Sequence, residues 1–252
     1  MNDEIKKPPP IFDNSLYRLR IVRPIAKKIA PILVKFGLSG NGVCWLKLVL
    51  GLAGSIMLAS IDIAVCLLGI ALMQFYFLLD AADGEVARLI GEAGYLSGEY
   101  FDKLADHLPK TAMYFFWGIG GWRISDSMLP LYCGAFFALW NIYPRFCAVE
   151  TLLERLDKAP EILNNNGFQR AIAAAFVTEK NRGKTDYWLT VFVHPALNAL
   201  TLLFICELII PFIIIGGNHY HFRVIGIIIF TLAGIWNFLR KGLRYFKLLN
   251  FD

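Results

Sequence analysis

Six long apolar stretches dominate the chain and leave it few possible folds. Each is close to the roughly 20 residues that a helix needs to cross the hydrocarbon core of a bilayer. Backbone polar groups inside lipid must pair within the chain, which favours helices for stretches of this length. They cover residues 43–61, 63–82, 104–122, 128–148, 187–211 and 223–240. With 57% hydrophobic residues, the sequence predicts an all-α, polytopic membrane protein with six transmembrane helices.

The basic residues predict how these helices are oriented. Lysines and arginines concentrate before the first stretch, between the fourth and fifth, and after the last, whereas the opposite side carries Arg123 and Arg223. Because positively charged loops stay cytoplasmic, we expect both termini on the cytoplasmic side, together with four aspartates, Asp80, Asp83, Asp102 and Asp106. The net charge of +5 is explained by this bias and by anionic lipid headgroups. We therefore predict a lipid bilayer as partner and no nucleic acid.

The chain divides at about residue 37. Residues 1–37 are predicted to combine a disordered, proline-rich start, with no secretory signal, and an amphipathic helix over Ser15–Phe36 lying at the membrane surface. We expect Pro24 and Pro31 to kink or divide that helix. Residues 38–252 are predicted to form a single six-helix transmembrane catalytic domain. Its five cysteines lack metal-site spacing and are interpreted as small core residues.

Four aspartates mark the functional site. Asp80 and Asp83 lie three residues apart near the end of the second stretch, and Asp102 and Asp106 lie four apart at the start of the third. These spacings place each pair on one helical face. Ionised carboxylates near hydrocarbon are costly unless they are paired, hydrated or bound to a metal. Oxygen ligands without imidazole favour Mg²⁺ or Mn²⁺, so the sequence predicts a cation site.

The residues beside the first pair suggest a phosphate-bearing substrate. Gly84 lacks a side chain and allows a ligand to approach the backbone. Arg88 carries a planar guanidinium that binds phosphate in a bidentate manner. Magnesium commonly completes its coordination shell with substrate phosphates, which fits both features.

These residues together resemble a known family. The patterns D-x-x-D-G-x-x-A-R and G-x-x-x-D-x-x-x-D are similar to the signature of the CDP-alcohol phosphotransferases, six-helix membrane enzymes of phospholipid synthesis. The matching residues are Asp80, Asp83, Gly84, Ala87, Arg88, Gly98, Asp102 and Asp106. The chain departs from the family by one extra residue between Arg88 and Gly98. It also has Ser39-Gly40-Asn41 where many relatives have a Thr-Pro-Asn-like entry.

The resemblance implies a role for each position. Asp80, Asp83, Asp102 and Asp106 would bind two divalent ions, Mg²⁺ or Mn²⁺, and Asp106 would also act as the general base. The CDP-alcohol is implied to bind at a second, overlapping set of residues. That set is Asn41, Asp83, Gly84, Ala87, Arg88 and Gly98. Relatives are often dimers, so a homodimer is also implied.

The implied reaction transfers a phosphatidyl group from a CDP-alcohol, most simply CDP-diacylglycerol, to the hydroxyl of a polar alcohol, with release of CMP. Arg145 and Lys184 are candidate ligands for a phosphate on the acceptor, and ordinary positive-inside charges explain them equally well. Transfer of phosphocholine or phosphoethanolamine to a lipid hydroxyl is an alternative. A divalent-cation transporter is the alternative outside catalysis, since intramembrane acids also line ion pathways.

Two charged residues lie inside apolar stretches, away from the aspartates in sequence. We expect Lys47 to snorkel toward the cytoplasmic end of the first helix and Glu207 toward the outer end of the fifth. His219 and His221, in the outer loop that follows, are interpreted as interfacial residues.

Overall fold

The structure is a computed structural model that describes residues 21–91, 96–139, 196–215 and 218–249. The described residues form seven helices and one short antiparallel hairpin. The helices are α1 (Arg23–Lys35), α2 (Gly40–Met57), α3 (Ile63–Leu89), α4 (Leu96–Ser125), α5 (Leu129–Leu139), α6 (Ala196–Ile209) and α7 (Phe222–Leu249). The hairpin pairs β1 (Ile213–Ile215) with β2 (Asn218–Tyr220) between α6 and α7. The mostly helical fold that the sequence predicts is confirmed.

Two of the predicted spans are long and apolar enough, as helices, to cross a bilayer. Within the described residues these are α2 and α3. Their outward faces carry large exposed apolar side chains, among them Val49, Ile56, Leu68 and Phe75. Exposed apolar surface on this scale marks a face that contacts something other than water. The apolar helices and their exposed faces indicate a membrane protein, while the six-span count remains a prediction because residues 140–148 and 187–195 lie outside the described part.

The helices that carry the aspartates extend beyond their apolar stretches. The second stretch ends near residue 82, but α3 continues to Leu89, and α4 begins at Leu96 although the third stretch begins near residue 104. Gly91 has a φ of +74° in the turn after α3, a conformation that favours glycine. All four aspartates therefore lie on helices, which holds their side chains in fixed directions.

Small residues let the helices approach closely. A Cβ atom added to Gly54 on α2 would lie 2.6 Å from the carbonyl oxygen of Gly69 on α3. Gly118 on α4 and Gly134 on α5 form a similar contact, with a Cβ at Gly118 only 3.0 Å from the Cα of Gly134. Small residues at such crossings allow close backbone contact between membrane helices. These crossings bring α2 close to α3 and α4 close to α5.

Gly120 gives a test of this close packing. A Cβ atom at Gly120 on α4 would collide with the backbone carbonyl of Leu58, which cannot move as a side-chain end can. We expect Gly120→Ala to lower the free energy of unfolding by roughly 1–3 kcal/mol, the usual cost of overpacking. Thermal unfolding in detergent measures the change. Gly42→Ala is the matched control, because its Cβ would make an ordinary 3.4 Å contact with Leu38; equal loss in both variants would contradict this packing.

The first helix differs in part from its prediction. It is one continuous helix over Arg23–Lys35, with Pro24 in the first turn, where a proline costs no hydrogen bond. Pro31 lies inside the helix without dividing it. Its buried residues are Ala26 and Ala30, and α1 packs on α3. The predicted start at Ser15 lies outside the described residues.

The end of the bundle farthest from the aspartates contains a buried ion pair. The Nε of Arg223 donates to Glu207 Oε1 at 2.6 Å, and both residues are almost fully buried. The same guanidinium donates to the carbonyl oxygens of Ser60, at 2.9 Å, and Ile61, at 3.3 Å. The expectation that Glu207 snorkels is wrong, because its charge is satisfied inside the protein. This cluster joins the start of α7 to α6 and to the loop between α2 and α3.

Candidate active site

Three helices bring the four aspartates together around one lysine. Lys47 Nζ on α2 donates to Asp80 Oδ1 at 3.1 Å and to Asp83 Oδ2 at 2.6 Å, both on α3. It also donates to Asp102 Oδ1 at 2.5 Å and to Asp106 Oδ1 at 2.8 Å, both on α4. The two predicted pairs of aspartates thus converge on a single point between α2, α3 and α4.

The cluster is closed on one side and open on the other. Lys47 has no exposed side-chain surface, and the side chains of Asp80 and Asp83 are 3% and 10% exposed. The side chains of Asp102 and Asp106 are 44% and 28% exposed. A ligand or ion therefore reaches the carboxylates from the side of α4.

The position of Lys47 overturns the expectation that it snorkels. Its stem runs inward and its ammonium is satisfied by carboxylates from two neighbouring helices. A signal for this pairing is present in the sequence: charged residues inside membrane segments usually pair with one another, and Lys47 and the four aspartates are predicted at the same end of the helices. Lys47 is the functional-site residue that the sequence reasoning missed.

Cys44 lies one helical turn before Lys47 and also contacts the cluster. Its thiol donates to Asp83 Oδ2 at 3.7 Å and to Asp102 Oδ1 at 3.9 Å. The interpretation of this cysteine as a core residue is correct for its burial and incomplete for its contacts.

The donor set fits a divalent cation. Two groups of side chains, Cys44 with Asp83 and Asp102, and Asp80 with Asp102 and Asp106, have their ligand atoms within 4.8 Å of one another. Carboxylate oxygens at this spacing suit the hard cations Mg²⁺ and Mn²⁺. The Lys47 ammonium, a cation surrounded by all four carboxylates, shows directly that the arrangement stabilises positive charge.

Hydrogen bonds from α2 and α3 fix α4 beside the cluster. The Tyr76 hydroxyl donates to the backbone carbonyl of Asp106 at 2.9 Å. The Ser55 hydroxyl contacts two carbonyls, those of Pro109 at 2.9 Å and Gly51 at 2.7 Å. A Cβ atom at Gly51 would lie 2.7 Å from Pro109, so only glycine permits this approach. These contacts fix the position of the Asp106 backbone relative to α2 and α3.

The residues proposed for the diphosphate form a neighbouring surface on α3. The Gly84 N–H donates to Asp83 Oδ1 at 2.6 Å. A Cβ atom at Gly84 would meet nothing closer than the Arg88 guanidinium at 3.8 Å, so the space beside it is open. Arg88 pairs with Glu85 at 2.9 Å and is largely exposed, which leaves its guanidinium accessible. Ala87 packs against Gly40, whose added Cβ would lie 3.1 Å from the Ala87 methyl.

The structure describes the positions of two of the other predicted site residues, Asn41 and Gly98. Asn41 is exposed in the first turn of α2, directly after Gly40, and is therefore beside the Gly84–Arg88 segment. Gly98 lies in the first turn of α4, one turn before Asp102. Arg145 and Lys184 lie outside the described residues, so their role stays a prediction.

The fold and the site together define a class. The chain is a mostly helical protein with apolar helices suited to a membrane and a carboxylate cluster that fits divalent cations and is open on one side. Residues 39–155 match the family described as CDP-alcohol phosphatidyltransferase. The resemblance inferred from the aspartate motifs is therefore confirmed over these residues. No curated protein matches the chain significantly.

The family match bears on the chemistry at a general level. The family transfers substituted phosphate groups, acts on a CDP-alcohol and an alcohol acceptor in membranes, and generally uses divalent metal ions. The matched region includes α2, α3 and α4, which supply all the side chains of the cluster.

Proposed function

We propose that the protein transfers a phosphatidyl group from CDP-diacylglycerol to the hydroxyl of a polar alcohol or alcohol phosphate, with release of CMP. The observation that carries this proposal is the convergence of Asp80, Asp83, Asp102 and Asp106 on one point within the matched domain. The four aspartates of the motif that predicts the reaction are also the residues that the fold brings together.

Asp80, Asp83, Asp102 and Asp106 are the residues that would hold two divalent ions, and their oxygen donors fit Mg²⁺ or Mn²⁺. When bound, such ions neutralise charge on the attacking and leaving oxygens of a phosphoryl displacement. Because Asp102 and Asp106 are partly exposed, the carboxylates are accessible without opening the bundle.

The donor is proposed to bind beside this cluster with its diphosphate near Gly84, Ala87 and Arg88. The open space at Gly84 admits an oxygen close to the backbone, and the exposed Arg88 guanidinium can leave Glu85 to bind phosphate. Asn41 and Gly98 would contribute to the same binding site. The packing of Gly40 on Ala87 keeps the beginning of α2 close to this surface.

Asp106 is proposed to accept the proton from the acceptor hydroxyl. That oxygen then forms a bond to the phosphorus that bears the diacylglycerol, and the bond from this phosphorus to the CMP oxygen breaks. Asp106 suits the role because it is the carboxylate at the open side whose backbone is fixed by Tyr76. General bases need this kind of positioning more than unusual basicity. Arg145 and Lys184 are proposed to bind an acceptor phosphate.

The surrounding architecture is also part of the proposal. It has six transmembrane helices in residues 38–252, a surface helix in residues 1–37, cytoplasmic termini and a cytoplasmic active site. A homodimer is proposed from the family resemblance alone. The exposed isoleucines Ile25 and Ile32 on α1, with Ile21 just before it, support a helix that contacts lipid with one face and α3 with the other.

The reaction is tested by CMP release from purified protein in detergent or liposomes. The assay contains CDP-diacylglycerol, Mg²⁺ or Mn²⁺, and one acceptor at a time from serine, glycerol phosphate, inositol, inositol phosphate, choline and ethanolamine. We expect metal-dependent CMP release with one acceptor. Release only from CDP-choline or CDP-ethanolamine with a lipid acceptor would instead identify an amino-alcohol phosphotransferase. No CMP release from any donor, with cation flux into liposomes, would identify a transporter.

Gly84→Ala separates donor binding from folding. The added methyl group meets only open space near Arg88, and alanine is the better helix former, so we expect an unchanged or slightly raised unfolding temperature. The same methyl would obstruct the diphosphate, and we expect the KM for CDP-diacylglycerol to rise by about tenfold, equivalent to losing roughly 1.4 kcal/mol of binding. Steady-state CMP release measures KM. An unchanged KM would show that the diphosphate does not bind beside Gly84.

A further inference from the structure

We propose that Lys47 is a built-in counter-ion, which occupies the cation site while no divalent ion is bound and withdraws when one binds. This inference rests on the proposed cation site. It concerns a residue outside the aspartate motif. Lys47 would stabilise the metal-free protein and would weaken metal binding by competing with the ion.

The first observation is the number of contacts. One ammonium, with three N–H donors, lies within 3.1 Å of an oxygen from each of four carboxylates. Without that ammonium, four acidic groups on two helices would face one another across a partly buried space. Like charges at such distances repel strongly, and buried charges without a partner are costly. Lys47 therefore holds α3 and α4 together against that repulsion from its place on α2.

The second observation is the position of the ammonium. Lys47 Nζ lies between the Oδ1 atoms of Asp80, Asp102 and Asp106 and the Oδ2 atom of Asp83. These four carboxylates are also the residues that would hold a divalent ion. An ion held by them and an ammonium at this point would exclude each other sterically and by charge.

The third observation is the kind of side chain. Lysine carries its charge on a flexible stem with rotatable donors, so it can withdraw without a change in the backbone of α2. The open side of the cluster, at Asp102 and Asp106, gives an ion access while Lys47 still holds Asp80 and Asp83 from the closed side. Metal binding is therefore an exchange of one cation for another within a site that is already formed.

This exchange has two measurable consequences. At one fixed Mn²⁺ concentration, wild-type protein should gain little stability from the ion, because a ligand stabilises a protein according to its affinity and the Lys47 ammonium competes with the ion. Binding of Mn²⁺ should be weaker than the carboxylates alone would permit, because the ion must displace Lys47.

Lys47→Met tests both consequences. It removes the charge and keeps an unbranched apolar side chain in the same space. In a chelator we expect its unfolding temperature to fall by roughly 10 °C relative to wild type, as for a broken buried ion pair. Saturating Mn²⁺ should restore most of that loss. The dissociation constant for Mn²⁺, measured from the free-ion signal by electron paramagnetic resonance, should fall at least tenfold.

Lys103→Met is the matched control. Lys103 is exposed on α4 and follows Asp102 in the sequence. Its substitution removes the same charge from the same end of the bundle. We expect its unfolding temperature in chelator to match wild type and its Mn²⁺ affinity to change less than threefold. Equal tightening in both variants would reduce the effect to general electrostatics and overturn the proposal.

Other outcomes also decide the question. Unchanged or weaker Mn²⁺ binding by Lys47→Met would overturn the exchange. If this variant cannot be purified, Lys47→Gln supplies the test: it also removes the charge, so its dissociation constant for Mn²⁺ should fall, and unchanged or weaker binding would overturn the proposal. Binding and unfolding are measured without substrate, so CMP release in the acceptor panel independently decides whether the proposed reaction is correct.

Discussion

Asp106→Asn is expected to lower the rate of CMP release by about 10²- to 10⁴-fold, the range typical of removing a general base. Asparagine has nearly the same shape as aspartate and keeps an oxygen within reach of Lys47 Nζ, which lies 2.8 Å from Asp106 Oδ1. It cannot accept the acceptor's proton. The backbone of residue 106 stays fixed by the hydroxyl of Tyr76. The measurement is CMP release with the acceptor that supports wild-type turnover.

The same substitution at Asp126 is the control. Asp126 is exposed in the turn after α4 and has a φ of +52°, a conformation that asparagine tolerates. Asp126→Asn should therefore retain wild-type CMP release and unfolding temperature. Near-normal turnover by Asp106→Asn, in protein that unfolds at the wild-type temperature, would remove the base assignment and leave Asp106 as a ligand at most.

The second large effect is expected at the opposite end of the bundle. Arg223→Met should lower the free energy of unfolding by roughly 3–5 kcal/mol, since it removes the guanidinium that pairs with the buried Glu207 carboxylate. The carboxylate keeps the backbone N–H of residue 223, at 2.9 Å, and His221 Nδ1, at 3.6 Å. Methionine fills much of the volume of the arginine side chain. It cannot replace the guanidinium N–H groups that donate to the carbonyl oxygens of Ser60 and Ile61. Unfolding in detergent, followed by helical circular dichroism against temperature, measures the loss.

Two further variants test the cause of that loss. Arg123→Met removes an exposed arginine at the same end, which donates to the carbonyl of Ala59 at 2.9 Å, and should cost no more than about 1 kcal/mol. Adding Glu207→Gln to Arg223→Met should recover part of the stability, because the buried charge is then absent. Equal losses in Arg123→Met and Arg223→Met would show that the buried pair has no special importance.

The location of the candidate site was predictable because its chemistry is local in sequence. Asp80 and Asp83, and likewise Asp102 and Asp106, are separated by one helical turn, so each pair shares a face in any helix. Gly84 and Arg88 follow in register on the same helix. Few residues separate the two motifs, which is why the family resemblance could be recognised from residues 80–106.

The helix ends were less predictable, since hydropathy reports where a chain is apolar and not where its backbone hydrogen bonds stop. Residues 82–89 and 96–103 are too polar to count as membrane spans. They belong to α3 and α4 nevertheless, and the turn at Gly91 follows the end of α3. Extension of the helices is what gives the aspartates fixed directions.

What the sequence by itself determined was therefore the membrane-suited helical class, the carboxylate motif and the family of the domain, each of which depends on residues close together in the chain. Only the tertiary structure decided the partners of Lys47, Cys44, Glu207 and Arg223. Lys47 lies 33 residues from Asp80 and 59 from Asp106, and Arg223 lies 16 residues from Glu207. A buried charge takes whichever opposite charge the helix packing brings within about 3 Å, and that choice depends on how the helices cross rather than on their separate sequences.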